Sequence, residues 1–343
     1  MVNCRYIVTD GDLAMNGTGQ AALLERAAAA TRSQFGDSVF VRAVVEVSNF
    51  CRENCAYCGM RRDNRSLARY RARYQDLAEL LIHRRPSSVT DVNIQAGEDR
   101  VAVREVVLPL IETLRKETSL GVSVCLGTLD AKLYTELQAV GATMYIMKFE
   151  CADAAKYGEI KAPGTLDERL THIRMLADLG FTVSSGFIVG LPEQQPRDLV
   201  KALELARNLP LRGCSVSPFI PGESTPLSKS APANPNWTYN CMAALRLIRP
   251  DWVIPAVSAL NLAEENGYRR GLRAGANLVT INMTPDNLRD DYVIYKRERF
   301  IMTEERVLDA ITSEGLTPST KSLQDHYRDR ALVDTGEDLA KSK

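Results

Sequence analysis

The chain has 343 residues, of which 45% are hydrophobic and 25% are charged. This mixture is typical of a globular protein, and the length allows one large α/β domain or two domains. The 43 basic residues balance the 43 acidic ones, so the net charge gives no reason to expect nucleic acid or an anionic membrane as a partner. No apolar run approaches the ~18–20 residues that span a bilayer, and the N-terminus lacks a secretory h-region. The sequence therefore predicts a cytoplasmic protein with neither a nucleic-acid nor a membrane partner.

Short strand-like runs alternate with amphipathic helical stretches along the chain. An N-terminal helix is predicted at about residues 20–32. Eight strands are predicted after it, at 40–48, 91–95, 121–126, 143–149, 181–186, 213–218, 252–257 and 277–282. Several helical stretches end in glycine just before the next strand, as helix C-caps do: Gly141, Gly180 and Gly275. Eight βα units favour an α/β fold, the (β/α)8 TIM-type barrel, with a doubly wound open sheet as the alternative.

The domain organisation follows from this pattern. We predict an N-terminal helical extension at 1–38, the barrel at 39–300 and a C-terminal helical tail at 301–343. The last stretch, LVDTGEDLAKSK, is polar and is expected to fray.

Three cysteines follow the first predicted strand in the spacing C-x3-C-x2-C: Cys51, Cys55 and Cys58. Thiolates on one short loop can converge on a soft metal centre, and iron–sulfur clusters use such ligands. A closed zinc site is the alternative, but it normally needs four ligands, and no fourth Cys or His lies nearby. Three ligands leave one iron of a 4Fe–4S cube open to bind a small molecule. The loop also lies where (β/α)8 enzymes carry their chemistry, at the C-terminal end of a strand.

This loop, with the aromatic Tyr57 just before the third cysteine, resembles the signature of the radical SAM superfamily. The resemblance implies an enzyme in which a 4Fe–4S cluster binds S-adenosylmethionine (SAM) through its open iron. One electron then cleaves SAM to methionine and a 5′-deoxyadenosyl radical, which abstracts hydrogen from a substrate. The implied partners are an electron donor such as flavodoxin or ferredoxin and a substrate that is a small molecule or is bound to a carrier protein.

Further segments match the superfamily at the ends of other predicted strands. The second strand ends in QAGED, where relatives have a Gly-Glu motif that receives the SAM amino group, here Gly97 and Glu98. A carboxylate suits an ammonium partner. Glu150 ends the fourth strand, where relatives place a polar residue near the SAM ribose. Arg169 matches a helix arginine that pairs with the SAM carboxylate.

The fifth predicted strand contains GFIVGLPE, which matches the superfamily pattern G-x-I-x-G-x-x-E between Gly186 and Glu193. Glycines in a strand let a flat base approach the backbone closely. The resemblance implies that Ile188, together with Tyr57, borders the SAM adenine.

Within the superfamily the chain resembles the biotin-synthase-like branch over about residues 20–315, and most of all the HydE family, the radical SAM maturases of iron–iron hydrogenase. The cluster loop followed by CGMRRDN is the most specific match. The chain has Phe149-Glu150-Cys151 where that family has His-Glu-Thr, and its C-terminal region has no cysteines for a second cluster. The resemblance implies a role in cofactor biosynthesis, acting on a small substrate inside the barrel.

Five further cysteines bear on the alternatives: Cys4, Cys125, Cys151, Cys214 and Cys241. Those on or after the third, fourth and sixth strands could face the barrel interior and hold an auxiliary iron–sulfur cluster, as a sulfur-inserting synthase of the biotin or lipoyl type requires. The auxiliary cysteines of biotin synthase fall here at about Gln95, Ser123 and Ser184, which argues against biotin synthase itself. The alternative is a purely structural role, in which these cysteines pack as small buried hydrophobic residues.

Two other functions stay open on the sequence. One is a radical mutase resembling methylornithine synthase, which needs no second cluster. The other is a non-enzymatic iron–sulfur scaffold. For an enzyme, the predicted strand ends suggest five substrate contacts inside the barrel: Gln95, Thr128, Ser217, Ser258 and Thr280.

Overall fold

The computed structural model describes residues 6–297 and 300–330. Its strands are parallel and form one curled sheet in the order β6-β5-β4-β3-β2-β1-β7, with β8 pairing to the start of β1. The strands are β1 Ser38–Ser48, β2 Asp91–Ala96, β3 Gly121–Cys125, β4 Met144–Ile146, β5 Thr182–Val189, β6 Gly213–Pro218, β7 Leu278–Asn282 and β8 Thr317–Pro318. This is the predicted TIM-type architecture, and seven of the eight predicted strands form.

The predicted strand at 252–257 is wrong as a regular strand. Only two isolated bridges form there, one from Val253 to Gly213 and one from Pro255 to Leu278. Proline has no backbone N–H to give to a ladder, so Pro255 interrupts the pairing. The irregular segment still joins β6 to β7 and so completes the ring of strands.

A buried arginine shapes this irregular segment. The Arg246 guanidinium donates to the backbone carbonyls of Pro250 and Trp252 at 2.8 and 2.7 Å, and to that of Gly275 at 2.9 and 2.8 Å. It also donates to the side chain of Asn277, and its own side chain is fully buried. Burial lowers the pKa of Arg246 to about 9. One side chain thus ties the start of the irregular segment to the turn before β7.

The helices surround the strands. They are α1 Asp10–Ala14, α2 Gly17–Phe35, α3 Tyr74–His83, α4 Arg100–Ala102, α5 Leu108–Glu117, α6 Ala131–Ala139, α7 Ala154–Glu159, α8 Leu166–Asp178, α9 Pro196–Asn208, α10 Pro235–Ile248, α11 Ala259–Ala263, α12 Gly267–Arg273, α13 Asp286–Arg289 and α14 Glu304–Thr312. A π-helical turn, Val103–Val107, joins α4 to α5. None of the helices in the described ranges is both long and apolar enough to cross a membrane.

Strand side chains alternate between two environments. On β1, Val41, Ala43 and Val45 are buried in the apolar core, while Arg42 and Glu46 line a cavity inside the barrel. The same period-two alternation holds on β2, β3 and β6, as a pleated strand requires. The outer layer is apolar because the helices pack on it, whereas the lumen is lined by both polar and apolar side chains.

The end of the described chain closes the floor of the barrel. Residues 323–330 are helical, and Leu323 and Tyr327 line the bottom of the lumen. The Leu323 N–H donates to Asp91 Oδ2 at 2.9 Å, and the His326 ring packs against Phe40. The predicted domain boundaries stay a prediction, and the stretch LVDTGEDLAKSK lies outside the described residues.

Candidate active site

The loop with the three cysteines leaves the C-terminal end of β1 and is fixed by its neighbours. The Ala56 N–H donates to the carbonyl of Ile160 at 2.8 Å, and the Gly59 N–H donates to that of Ile294 at 2.9 Å. Arg69 donates to four carbonyls of the loop: Asn49, Met60, Arg61 and Asn64. The RRDN run after the cysteines therefore has a structural function, since Asn64 also donates to the Gly59 carbonyl at 2.7 Å.

The three thiols suit a positively charged soft centre. Cys55 is buried, and Cys51 and Cys58 are half-buried. Burial, followed by repulsion from Cys51, raises the pKa of Cys58 to about 12. Burial and then repulsion from Cys58 raise the pKa of Cys55 well above its ordinary value. Conversion of these thiols to thiolates therefore needs a positive partner, and the irons of a cluster provide one.

The described residues contain no site for a single metal ion. Within residues 6–297 and 300–330, no three His, Cys, Asp or Glu side chains meet closely enough to hold one metal ion. This finding concerns single ions such as zinc, because a 4Fe–4S cube spreads three thiolates over three different irons.

Gly97 lies where β2 meets the cluster loop. Its N–H donates to the Ser48 carbonyl at 3.0 Å. A Cβ at this position would lie 2.2 Å from the Phe50 carbonyl oxygen and 2.9 Å from Cys51 Cβ. The residue before Glu98 must therefore be glycine for the loop to pack this closely.

Glu98 and Arg169 meet in the interior. The Arg169 Nη2 donates to Glu98 Oε1 at 3.3 Å, and both side chains are more than nine-tenths buried. The Thr128 N–H donates to the same oxygen at 2.9 Å. Gly127, at φ 69°, packs under the Glu98 side chain, where a Cβ would lie 2.2 Å from Cγ.

Glu150 adopts a left-handed conformation at φ 59°, which is uncommon for a residue with a side chain. Its Oε2 is buried without a hydrogen-bond partner, and Lys148 Nζ lies 3.8 Å away. Burial, and then the charges of Cys55 and Glu150, raise the pKa of Tyr57 well above its ordinary value. Glu150 thus faces the cluster loop with an oxygen that has an ion-pair partner but accepts no hydrogen bond.

The fifth strand joins this group at Ile188. The Ile188 N–H donates to the Glu150 carbonyl at 2.8 Å, and its carbonyl accepts from Gln194 Nε2 at 3.1 Å. Gln194 Oε1 also accepts from the Gly190 N–H at 2.6 Å. Glu193, the acid in the sequence pattern, is instead 88% exposed and pairs with Lys156 at 3.7 Å. Gln194 is therefore the residue that shapes the turn.

A cavity of about 200 Å³ occupies the lumen of the barrel. Four of the five predicted substrate contacts line it: Gln95, Ser217, Ser258 and Thr280. Thr128 does not line it; its backbone N–H donates to Glu98 and its carbonyl accepts from Arg52, and its substrate contact stays a prediction. Two cations also line the cavity: Arg42, whose Nε donates to Thr280 Oγ1 at 3.1 Å, and Lys148.

The remaining described cysteines do not converge in the lumen. Cys125 lines the cavity, but Cys214 points into the outer core because Ser215 and Ser217 take the inward positions of β6. Cys241 is buried in α10, and the Cys151 thiol donates to the Asp153 carbonyl at 3.3 Å. The expectation that three of them could share the interior is wrong for Cys151 and Cys214, and Cys4 lies outside the described residues. The three positions that match the auxiliary cysteines of biotin synthase do face the lumen, but none of them is a cysteine: Gln95, Ser123 and Ser184.

Sequence reasoning missed four residues of this site. Arg52 donates to Glu98, and Gly127 packs under the Glu98 side chain. Arg42 and Lys148 bring positive charge into the lumen. Strand alternation was the available signal for Arg42, since Val41 and Ala43 on either side are apolar. No local pattern pointed to Arg52, because its partner is 46 positions away along the chain.

A parallel barrel, three cysteines at the end of its first strand and a buried acid–arginine group beside them define a radical SAM enzyme. The chain belongs to the radical SAM superfamily, and the model of that superfamily matches residues 45–206. Membership implies a 4Fe–4S cluster and SAM as cofactors, a small-molecule substrate and a reductant.

Among individual proteins, the chain is 31% identical over 284 residues to the [FeFe] hydrogenase maturase subunit HydE of Thermotoga maritima, which covers 82% of this chain and 81% of the relative. It is 25% identical over 300 residues to the 3-methylornithine synthase of Methanosarcina barkeri, covering 85% of each. The crystal structure of methylornithine synthase (PylB) superposes with a TM-score of 0.80 at 22% identity, over 92% of this chain and 95% of that one. This structural similarity shows a shared fold.

Proposed function

We propose that the chain is a HydE-like maturase that uses SAM cleavage to act on a small polar substrate in the barrel lumen. The observation that supports this proposal is that the lumen cavity and the cluster-loop site lie next to each other. Lys148 lines the cavity, and its Nζ lies 3.8 Å from Glu150, which faces the cluster loop. A substrate in the cavity would therefore sit next to the SAM pocket.

The proposed cofactor site uses the residues that the structure brings together. Cys51, Cys55 and Cys58 would hold the 4Fe–4S cluster, which when reduced supplies the electron that cleaves SAM. Glu98 would accept from the SAM ammonium and Arg169 would donate to its carboxylate.

The rest of the SAM pocket would hold the nucleoside. The Oε2 of Glu150, which accepts no hydrogen bond within the protein, would accept from a ribose hydroxyl, and Tyr57 and Ile188 would border the adenine. Ile188 is 6% exposed and presents an apolar surface to a base.

The lumen indicates the chemistry of the substrate. Arg42 makes no ion pair with a described residue, and Thr280 is the side chain to which it donates. A cation facing a cavity without a carboxylate in contact is costly unless a ligand provides the negative group. We therefore expect a substrate that carries an anionic group, for which Arg42 provides complementary charge. Lys148 already pairs with Glu150, and Glu46 adds one acid to the lining of the cavity.

The cysteine positions favour one cluster over two. Among the described cysteines outside the C-x3-C-x2-C loop, Cys125 alone lines the lumen, and an auxiliary cluster normally takes several thiolates. Sulfur insertion of the biotin or lipoyl type is therefore the weaker alternative. A methylornithine-synthase-like mutase stays open, because it too needs one cluster. A cytoplasmic location and a flavodoxin or ferredoxin as reductant remain part of the proposal.

The test is SAM cleavage by the anaerobically reconstituted and reduced protein. The wild type should bind about four irons and form 5′-deoxyadenosine. Cys55→Ala should form none, whereas Cys241→Ala, which removes a buried thiol from α10, should retain the activity. A Cys55→Ala protein that still formed 5′-deoxyadenosine would contradict the cluster assignment. A Cys51/Cys55/Cys58 triple-Ala variant that kept a stoichiometric cluster would move sulfur insertion to first place.

A further inference from the structure

Arg52, the residue after the first cysteine of the loop, connects three segments of the site. Its Nε and Nη2 groups donate to Glu98 Oε2 at 3.1 and 3.0 Å. Nη2 also donates to the Thr128 carbonyl at 2.9 Å, and the Arg52 backbone N–H donates to the Glu98 carbonyl at 3.2 Å. One residue therefore ties the cluster loop to the end of β2 and to the loop after β3.

The two oxygens of Glu98 have different partners. Oε2 accepts from Arg52, and Oε1 accepts from Arg169 and from the Thr128 N–H. The Arg52 Nε also lies 3.2 Å from Glu53 Oε1. The group therefore contains two acids and two arginines joined in one network of contacts.

A SAM amino acid moiety would disturb one side of this group. In the proposed function its carboxylate pairs with Arg169 and its ammonium with Glu98. The 3.3 Å contact between those residues must then be exchanged for contacts to the ligand. The bonds from Arg52 to Oε2 lie on the other oxygen and can persist through the exchange.

We propose that Arg52 is the positioning residue for the SAM ammonium, an inference that rests on the proposed function. With Arg169 turned to the ligand, Arg52 and the Thr128 amide keep the Glu98 carboxylate in place. Because Arg52 lies between Cys51 and Cys55, the same side chain sets the distance between the acid and the cluster loop. Two N–H groups of one planar guanidinium converge on Glu98 Oε2, an arrangement that the single ammonium of a lysine cannot reproduce.

The chain offers a matched control on the same loop. Arg62 is 62% exposed, pairs with the exposed Asp63 at 3.2 Å and does not contact Glu98, and its one bond to Arg52 runs from Nη1 to the backbone carbonyl at 3.4 Å. Arg52→Gln and Arg62→Gln each remove one arginine charge from this loop, so a general effect of charge on the loop would appear in both.

The experiment measures binding of SAM, methionine and 5′-deoxyadenosine to the anaerobically reconstituted protein, together with iron content. Methionine carries the ammonium and carboxylate, whereas 5′-deoxyadenosine carries neither. For Arg52→Gln we expect SAM and methionine to bind roughly 10–100-fold more weakly, the range for a lost charge-assisted hydrogen bond, with unchanged iron content and 5′-deoxyadenosine binding. Arg52→Lys should recover only part of the affinity, and Arg62→Gln should bind all three like the wild type.

A double variant separates positioning from a general defect. If Arg52 acts through Glu98, Arg52→Gln should add little to the loss already caused by Glu98→Gln. SAM affinity equal to that of the wild type in a fully loaded Arg52→Gln protein would overturn the inference, as would loss of iron in both Arg52 variants. A wild type that binds SAM but forms no 5′-deoxyadenosine would instead count against the proposed function and leave Arg52 in its role.

Discussion

Gly97→Ala tests whether the packing of β2 against the cluster loop holds the cysteines in place. The new Cβ would lie 2.2 Å from the Phe50 carbonyl oxygen and 2.9 Å from Cys51 Cβ. Both neighbours are close to the loop backbone, so no side-chain rotation relieves the contact. An ordinary contact is about 3.5–4.0 Å, so the Phe50 carbonyl must move by roughly 1–2 Å.

The loop resists this movement, because hydrogen bonds join the two segments on either side of Gly97. The Gly97 N–H donates to the Ser48 carbonyl at 3.0 Å and the Arg52 N–H donates to the Glu98 carbonyl at 3.2 Å. Overpacking of a tight interior typically costs about 1–3 kcal/mol. Since the close atoms belong to the loop itself, we expect a loss near 3 kcal/mol in the free energy of unfolding. Displacement of Cys51 should also lower the iron bound per chain.

The assay is urea unfolding of the iron-free protein, followed by iron analysis after anaerobic reconstitution. Gly158→Ala is the matched control. Gly158 lies in α7 with no atom within 4 Å of a built Cβ, so alanine there should be neutral or stabilising by about 0.5–1 kcal/mol. A Gly97→Ala protein with wild-type unfolding and full iron content would refute the argument, because the loop would then tolerate a side chain at this contact.

Three further substitutions test the frame of the barrel. Arg246→Met should lower the free energy of unfolding by about 3–5 kcal/mol in urea, because it leaves buried carbonyls of the irregular segment without donors. Burial raises the pKa of Asp91 from 3.8 to about 6, so the native state keeps that proton longer and the unfolding free energy should fall as the pH rises from about 4 to 6. Asp91→Asn should remove a pH-dependent loss of up to roughly 3 kcal/mol, measured against wild type across this range. Burial lowers the pKa of His326 from 6.5 to about 4, so its contribution has the opposite sign: stability is lost as the pH falls below 6.5, and His326→Phe should abolish that loss. Wild-type pH profiles in either variant would contradict the corresponding assignment.

The strand pattern could be predicted because the buried strands are apolar on their outer faces and helical stretches separate them, several of which end in glycine. The exception at 252–257 has a tertiary cause. WVIPAV has the composition of a strand, but Pro255 cannot join a ladder, and Arg246 supports an irregular path there. The two-residue strand β8 is too short to leave a periodic signal, and its partner at Ser38 is at the other end of the chain.

The candidate site, like the fold, has one part that the sequence predicts and one part that depends on tertiary structure. The cysteine spacing is local, so the cluster loop could be predicted from a dozen residues. The convergence of Glu98, Glu150 and Arg169 rested on resemblance, and the structure brings them to one end of the barrel. Gln194 could not be chosen over Glu193 in advance, because a one-residue shift in a turn decides which side chain faces inward. The inward or outward direction of Cys214 likewise depends on the register of β6.

The two ends of the barrel become complete at different times during synthesis. The three cysteines of the cluster loop and β1 lie within the first 58 residues. The opposite end of the barrel needs Thr317 of β8, whose N–H donates to the Asp37 carbonyl 280 positions earlier. A chain emerging from the ribosome therefore exposes its thiols long before an enclosed lumen can exist around them. Contacts of such sequence separation form slowly because loop closure must precede them. Protection of these thiols from oxygen during that interval has to come from the cell and not from the fold.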